Sequence, residues 1–227
     1  MGPRCVAPED FGMRKVLILL PLVLALVGFA PARAQADSIP IVGDQITLTY
    51  GSSHVGSGGE FRVIGPGSAY DFETFCVETG EYFTPGNQYY IGGISGVTVN
   101  GGLTLTNPVA YLYAQFRVNP GAIGYSDPYA GDLQNAIWRL MAGNTSPLGD
   151  PNDFVGQAVA AVAGGWANNG LVAVLNLYGS YSAASGYGNP AQDQLTLTRA
   201  VPDGGATLML LGGALMGLGA LRRKSGA

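Results

Sequence analysis

Between residues 37 and 200 the chain is cut into short alternating runs, QITLTY, EFRVIG, QYYIGG, GVTVNG and QLTLTRA, by glycine and proline. This constrains the fold more than any other feature. A run of about four to eight residues with period-two alternation places its apolar side chains on one face of a strand. Among the 227 residues, 36 glycines and 14 prolines supply the breaks, and Thr, Val and Tyr fill the runs. DFETFCVETGEYF and LVAVLNLYG are further strand candidates, and GGISGVTVNGG marks a tight hairpin or loop.

Three stretches depart from the alternation. TNPVAYLYAQFRV offers Asn107 as N-cap and Pro108 at the first helical position. GDLQNAIWRLMAGN offers Asp132 as N-cap, then Leu133, Ile137, Leu140 and Met141 as one helical stripe that stops at Gly143. DPNDFVGQAVAAVAGGW has Asp150 or Asn152 to cap an alanine-rich body. The expected fold is therefore mainly β, a β-sandwich or barrel-like domain with a small inserted helical subdomain.

The ends set the compartment. MRKVLILLPLVLALVGFAPARAQADS has Arg14 and Lys15 before an apolar stretch and closes on AQA, the layout of a secretory signal peptide cleaved after Ala36. Glu9 and Asp10 fit poorly in a positive leader, so translation is expected to start at Met13, which removes Cys5. At the other end a Pro-Asp-Gly-Gly break precedes an uncharged segment, Ala206 to Leu221, and a cluster of Arg222, Arg223 and Lys224. Sixteen residues of helix span roughly 24 Å, short of a hydrocarbon layer of about 30 Å. Such a Gly-rich span with a basic cytoplasmic end suits a temporary anchor. A permanent tail anchor is the plainer alternative.

VPDGGATLMLLGGALMGLGALRRK resembles the C-terminal sorting signals of the PEP-CTERM class, in its VPDSG-type variant, with VPDGG standing where that variant has VPDSG. The resemblance implies processing near Val201, Pro202 and Asp203 by an exosortase-like membrane transpeptidase, then release to the surface or the matrix of a Gram-negative, polysaccharide-producing bacterium. The expected parts are residues 1–36 (upstream extension and signal peptide), 37–200 (the folded domain) and 201–227 (the sorting signal).

Residues 37–200 hold twelve acidic residues against four arginines, a net charge of about −8, which disfavours nucleic acid and anionic lipid as partners. They contain no lysine. His54, the sole histidine, sits in the turn GSSHVGSGG without Cys or His companions, so no metal site is expected. No G-x-S-x-G elbow supports a hydrolase. GSGGEFRVIGPG lacks the Lys-Ser/Thr ending of a phosphate cradle. SDPYAGD and GDPNDF read as helix caps before calcium loops. No cofactor is expected.

Cys76 is then the residue to explain. A lone thiol in an oxidising compartment is buried and inert, paired between chains, or chemically used. On a strand, Phe75 and Val77 share one face while Cys76 shares the other with Thr74 and Glu78. FCVETGEYF together with LQNAIWRL resembles the paired motifs of bacterial thioester domains, across about residues 70–145. The resemblance implies an internal thioester between Cys76 and Gln134. Ile137 and Trp138 match the apolar positions after the glutamine, and Tyr111 and Tyr113 resemble the helix that precedes it.

Chemistry supports the pair independently. Thiol attack on a carboxamide releases ammonia and is uphill in water unless both groups are pre-positioned, where effective molarities of about 10⁵ M or more become available. A helix N-terminus at Gln134 would offer free N–H groups to the oxyanion. Trp138, one turn on, would shield the bond, and Glu78 would accept the thiol proton. Absence of lysine would spare such an electrophile from the domain's own amines. These expectations converge on an exported adhesin-like protein that captures a surface amine, hydroxyl or exopolysaccharide once and is not an enzyme. The alternative is a structural or exopolysaccharide-associated protein with an ordinary buried thiol.

Overall fold

The computed structural model describes residues 39–54 and 58–199, within a compact unit spanning Ala36–Pro202. Residues 1–38 and 200–227, which hold the expected leader and sorting signal, lie outside the described residues, as does the segment 55–57. Six strands make one antiparallel sheet: β1 (Gln45–Tyr50), β2 (Phe61–Ile64), β3 (Asp71–Thr74), β4 (Gln88–Ser95), β5 (Val172–Ser182) and β6 (Gly186–Leu197). Their order across the sheet is β3-β2-β1-β4-β5-β6. A two-sheet sandwich is not formed among the described residues, because every strand joins this one sheet.

The sheet instead curls until its two edges meet. Just past β3, Phe75–Val77 leaves β2 and pairs with β6: Leu195 N donates to Phe75 O at 3.1 Å and Val77 N to Asp193 O at 3.2 Å, with Cys76 directly opposite Gln194. Thr74 Oγ1 adds a bond to Leu195 O at 2.6 Å, and Gln192 Nε2 one to Glu78 O at 2.6 Å. This seam gives the barrel-like form, since joining the edges removes the unpaired N–H and C=O groups that an open sheet presents there.

Two apolar clusters follow from the curl. Inside it lie Ile46, Leu48, Phe61, Val63, Ile91, Leu175, Leu177 and Cys76, the inward members of the alternating runs. Against the outside of β5, β6 and the seam pack three helices inserted between β4 and β5: α1 (Asn107–Val118), α2 (Ala130–Met141) and α3 (Phe154–Ala163). Phe75 and Val77 face this helical cluster while Cys76 faces the interior, as strand alternation requires. Burial of side chains such as Phe75, Leu112, Ile137 and Phe154 contributes about 1.5–3 kcal/mol each.

Helix ends differ from expectation by a few residues. Thr106, and not Asn107, caps α1 by accepting from Val109 N. Asp153 caps α3 from a left-handed backbone, accepting from Gly156 N. α2 begins at Ala130 after a 3-10 turn, so Asp132 lies within its first turn and Gln134 at its fifth position.

Candidate functional site

Cys76 and Gln134 meet in a fully dry position, both with no solvent exposure. Because β6 takes the hydrogen bonds of Phe75 and Val77, the N–H and C=O of Cys76 point to the other side of the seam strand. Gln134 fills that side. Cys76 N donates to Gln134 Oε1 at 3.1 Å, Gln134 Nε2 donates to Cys76 O at 2.7 Å, and Cys76 Sγ lies 3.1 Å from Oε1. The carboxamide is thus clamped flat along one residue of backbone, with its carbonyl carbon one bond from the oxygen that the thiol touches.

Gln134 reaches this position because of the stripe that carries it. Leu133, Ala136, Ile137, Leu140 and Met141 anchor α2 in the helical cluster, while Trp138, one turn after Gln134, packs partly buried against the interior cluster beside Cys76. Gly58 closes the other side. A Cβ built there would lie 2.7 Å from the Trp138 ring and 2.9 Å from Gln134 Cγ, so only glycine allows the backbone to lie against both.

Burial pushes the Cys76 thiol up to about 12, the nearby Glu78 charge adds to this, and the Cys76 backbone and the Trp138 indole N–H pull the other way. Trp138 Nε1 is buried without a hydrogen-bond partner of ordinary geometry, so its effect on the sulfur is through proximity. The resting thiol is protonated at neutral pH. Glu78 is buried, but its carboxylate accepts from Gly101 N at 3.2 Å and Asp193 N at 3.5 Å and makes no hydrogen bond to the thiol.

The donors available to the carboxamide oxygen also differ from expectation. Gln134 is the fifth residue of α2, where backbone N–H groups are already engaged within the helix, so the free amides of a helix start do not reach it. The N–H aimed at Oε1 belongs to Cys76 itself. A tetrahedral adduct at the Gln134 carbonyl would place its oxyanion on this donor, with the departing nitrogen held by Cys76 O.

Two neighbours escaped the sequence reading. Gln194 is buried directly across the seam from Cys76, with its Oε1 unpartnered. Asp193, also fully buried, takes hydrogen bonds from Leu177 N, Val99 N and Asn176 Nδ2 at 2.8–2.9 Å, which ties the bulge of β5 and the 97–104 loop to the seam. Burial pushes Asp193 up to about 7 against the pull of those donors. A polar residue at an inward position of QDQLTLT is the one trace of them in the sequence.

The remaining sequence candidates stay apart from this site. His54 packs its ring against Tyr50 and Phe61, at 4.0 and 5.2 Å between centroids. No group of three or more His, Cys, Asp or Glu side chains suited to a metal ion occurs among the described residues. Tyr113 is in the helical core and donates to Glu73 O, while Tyr111 packs edge-on to Trp166. No helix among the described residues is long and apolar enough to cross a membrane.

Residues 200–225 match the VPDSG-CTERM motif. Val201, Pro202 and Asp203 fall within this match, which supports a PEP-CTERM-type sorting signal. It suggests an exported surface protein, membrane-anchored at its C-terminus before processing, and is consistent with processing by an exosortase. No curated protein and no solved structure matches the chain.

Proposed function

We propose that this exported chain forms an internal Cys76–Gln134 thioester and uses it once, to capture an amine or hydroxyl of a surface or matrix polymer. The observation that carries the reading is the dry 3.1 Å contact of Cys76 Sγ with the Gln134 carboxamide, held by two backbone hydrogen bonds. In the forming step, the thiol sulfur bonds to the Gln134 Cδ, the Cδ–Nε2 bond breaks, and the thiol proton leaves with the nitrogen as ammonia. In the capture step, a nucleophile takes the acyl group and returns the thiol. The covalent link persists, so the chain is an adhesin-like binder and does not turn over.

A second reading is favoured by the same clamp. Phe75–Val77 is paired on one side only, and a buried glutamine that satisfies both backbone groups of Cys76 serves as a surrogate neighbouring strand. On that reading the protein is a structural or exopolysaccharide-associated surface protein without covalent chemistry.

Intact mass separates the two. The covalent reading expects the purified protein to weigh one ammonia less than its sequence, the Cys76→Ala variant to have its full mass, and methylamine to add to Gln134. Full sequence mass in the wild type, with one thiol titrating after unfolding, would leave the structural reading standing.

A further inference from the structure

The β5–β6 hairpin runs well beyond the part that closes the curl. Its proximal half is buried, whereas the stretch 178–190 is exposed or only partly buried throughout. On this projection Tyr178, Tyr181 and Tyr187 form a continuous row of four with Tyr90 of β4. Tyr90 and Tyr181 have centroids 6.0 Å apart, Tyr181 and Tyr187 4.8 Å, and Tyr187 and Tyr178 5.2 Å. Adjacent planes are inclined by only 30–46°, which makes a shallow stepped surface. The strand register aligns them: Tyr90 lies opposite Tyr178, and Tyr181 opposite Tyr187.

Gly92 permits the row. A Cβ at that position would sit 2.3 Å from the Tyr178 ring and 3.2 Å from Tyr187, so the Tyr178 ring lies on bare backbone. Tyr181 is 50% exposed, and the other three are half-buried. Elsewhere in the domain Tyr70, Tyr113 and Tyr125 commit their hydroxyls to Asp44, Glu73 and Glu60. The four hydroxyls of the row make no hydrogen bond among the described residues and remain open to a ligand.

We propose that the Tyr90–Tyr181–Tyr187–Tyr178 row is a binding surface for a neutral polysaccharide. An aromatic face with a polar tip suits a sugar ring, which has an apolar C–H face bordered by hydroxyls. Ser180 and Asn189, joined to each other at 3.1 Å, add polar groups at the border. Charge selects the class of polymer. Residues 82–116 and 154–192 contain no charged side chain, the charges that act on Tyr178 are the acidic Asp193 and Glu81, and the domain is itself acidic, so the row does not suit an anionic chain. A second copy of this chain is opposed by the edge of β6. Pro190 lacks an N–H, and Asn189 has a left-handed φ of 54°, so this edge does not template strand addition. The proposal stands independently of the Cys76–Gln134 chemistry.

Affinity gel electrophoresis of the full chain tests it, with dextran, a β-glucan, a galactomannan and a mannan as neutral probes and alginate as the anionic one. Retardation by at least one neutral probe is expected, unchanged by added salt. Tyr181→Ala and Tyr181→Ser should weaken it at least five-fold, with Tyr50→Ala, 53% exposed and packed on His54 and Phe61 instead of on the row, retaining it. The unfolding midpoint of each variant checks that its fold persists. The proposal is overturned if no neutral probe retards the chain, if alginate alone does, if both Tyr181 variants bind as wild type does, or if the row instead supports concentration-dependent dimers lost on Tyr181→Ala.

Discussion

If the proposed Cys76–Gln134 thioester forms, opening it with methylamine removes a cross-link between positions 58 apart in the chain. In the chain-entropy treatment of cross-links, closing a loop of that length lowers the entropy of the unfolded chain by about 14 cal/mol/K, or about 4 kcal/mol at 25 °C. For a domain of this size each kcal/mol moves the thermal midpoint about 2–4 °C, so opening should lower it by about 8–16 °C. The native contacts change little, because methylamine leaves an amide at Gln134 and a thiol at Cys76. Urea and thermal unfolding, followed by Trp138 and Trp166 fluorescence before and after treatment, read the difference. The denaturant slope should rise as well, because the opened chain exposes more surface on unfolding. Cys76→Ala, treated identically, should not shift. A wild-type protein shown by mass to be opened, yet unfolding at its original midpoint, would refute the cross-link reasoning.

Three further outcomes follow from the geometry. Gln134→Ala leaves the buried N–H and C=O of Cys76 without partners and should cost about 2–5 kcal/mol in urea unfolding, whether or not a bond forms. Gly58→Ala drives a methyl group into Trp138 and Gln134, and should cost about 1–3 kcal/mol while lowering the fraction of protein that has lost ammonia. The pH dependence has a defined sign. Burial and the adjacent Glu73 push Glu60 from 4.5 up to about 7, and burial pushes Asp193 from 3.8 up to about 7, so the folded chain keeps protons that the unfolded chain releases. Stability should therefore decline as pH rises from about 4 to 7 and level off above. Denaturant midpoints at pH 5 and pH 8 check this, and Asp193→Asn should reduce the difference.

The sequence made β1, the helical stripe of α2 and the insertion of the helices legible because each carries its own period. QITLTY is β1 to the residue, and Leu133, Ile137, Leu140 and Met141 are all buried. The seam was not legible. DFETFCVETGEYF reads as one long strand, but β3 ends at Thr74 and the next three residues change partner, a choice made by tertiary contact with β6. β6 itself starts at Gly186, because GYGNPA has the glycine, asparagine and proline of a loop and is held as strand only by its long pairing with β5. The proximity of Cys76 and Gln134 was expected from motif resemblance, but the direction of the amide clamp, the commitment of Glu78 to backbone and the presence of Gln194 opposite the thiol depend on that seam. Local pattern does not encode them.

The seam also imposes an order of events. Phe75 and Val77, on either side of Cys76, are bonded to Leu195 and Asp193, which belong to the last strand of the domain to be synthesised. Until β6 docks, the backbone of Cys76 lacks the support that aims it at Gln134. On this geometry the thiol and the carboxamide come into register on completion of the fold, and a chain truncated before residue 193 is expected to lack the contact. On the proposed covalent reading the contact would record that the domain has finished folding, and an incomplete copy would carry no bond.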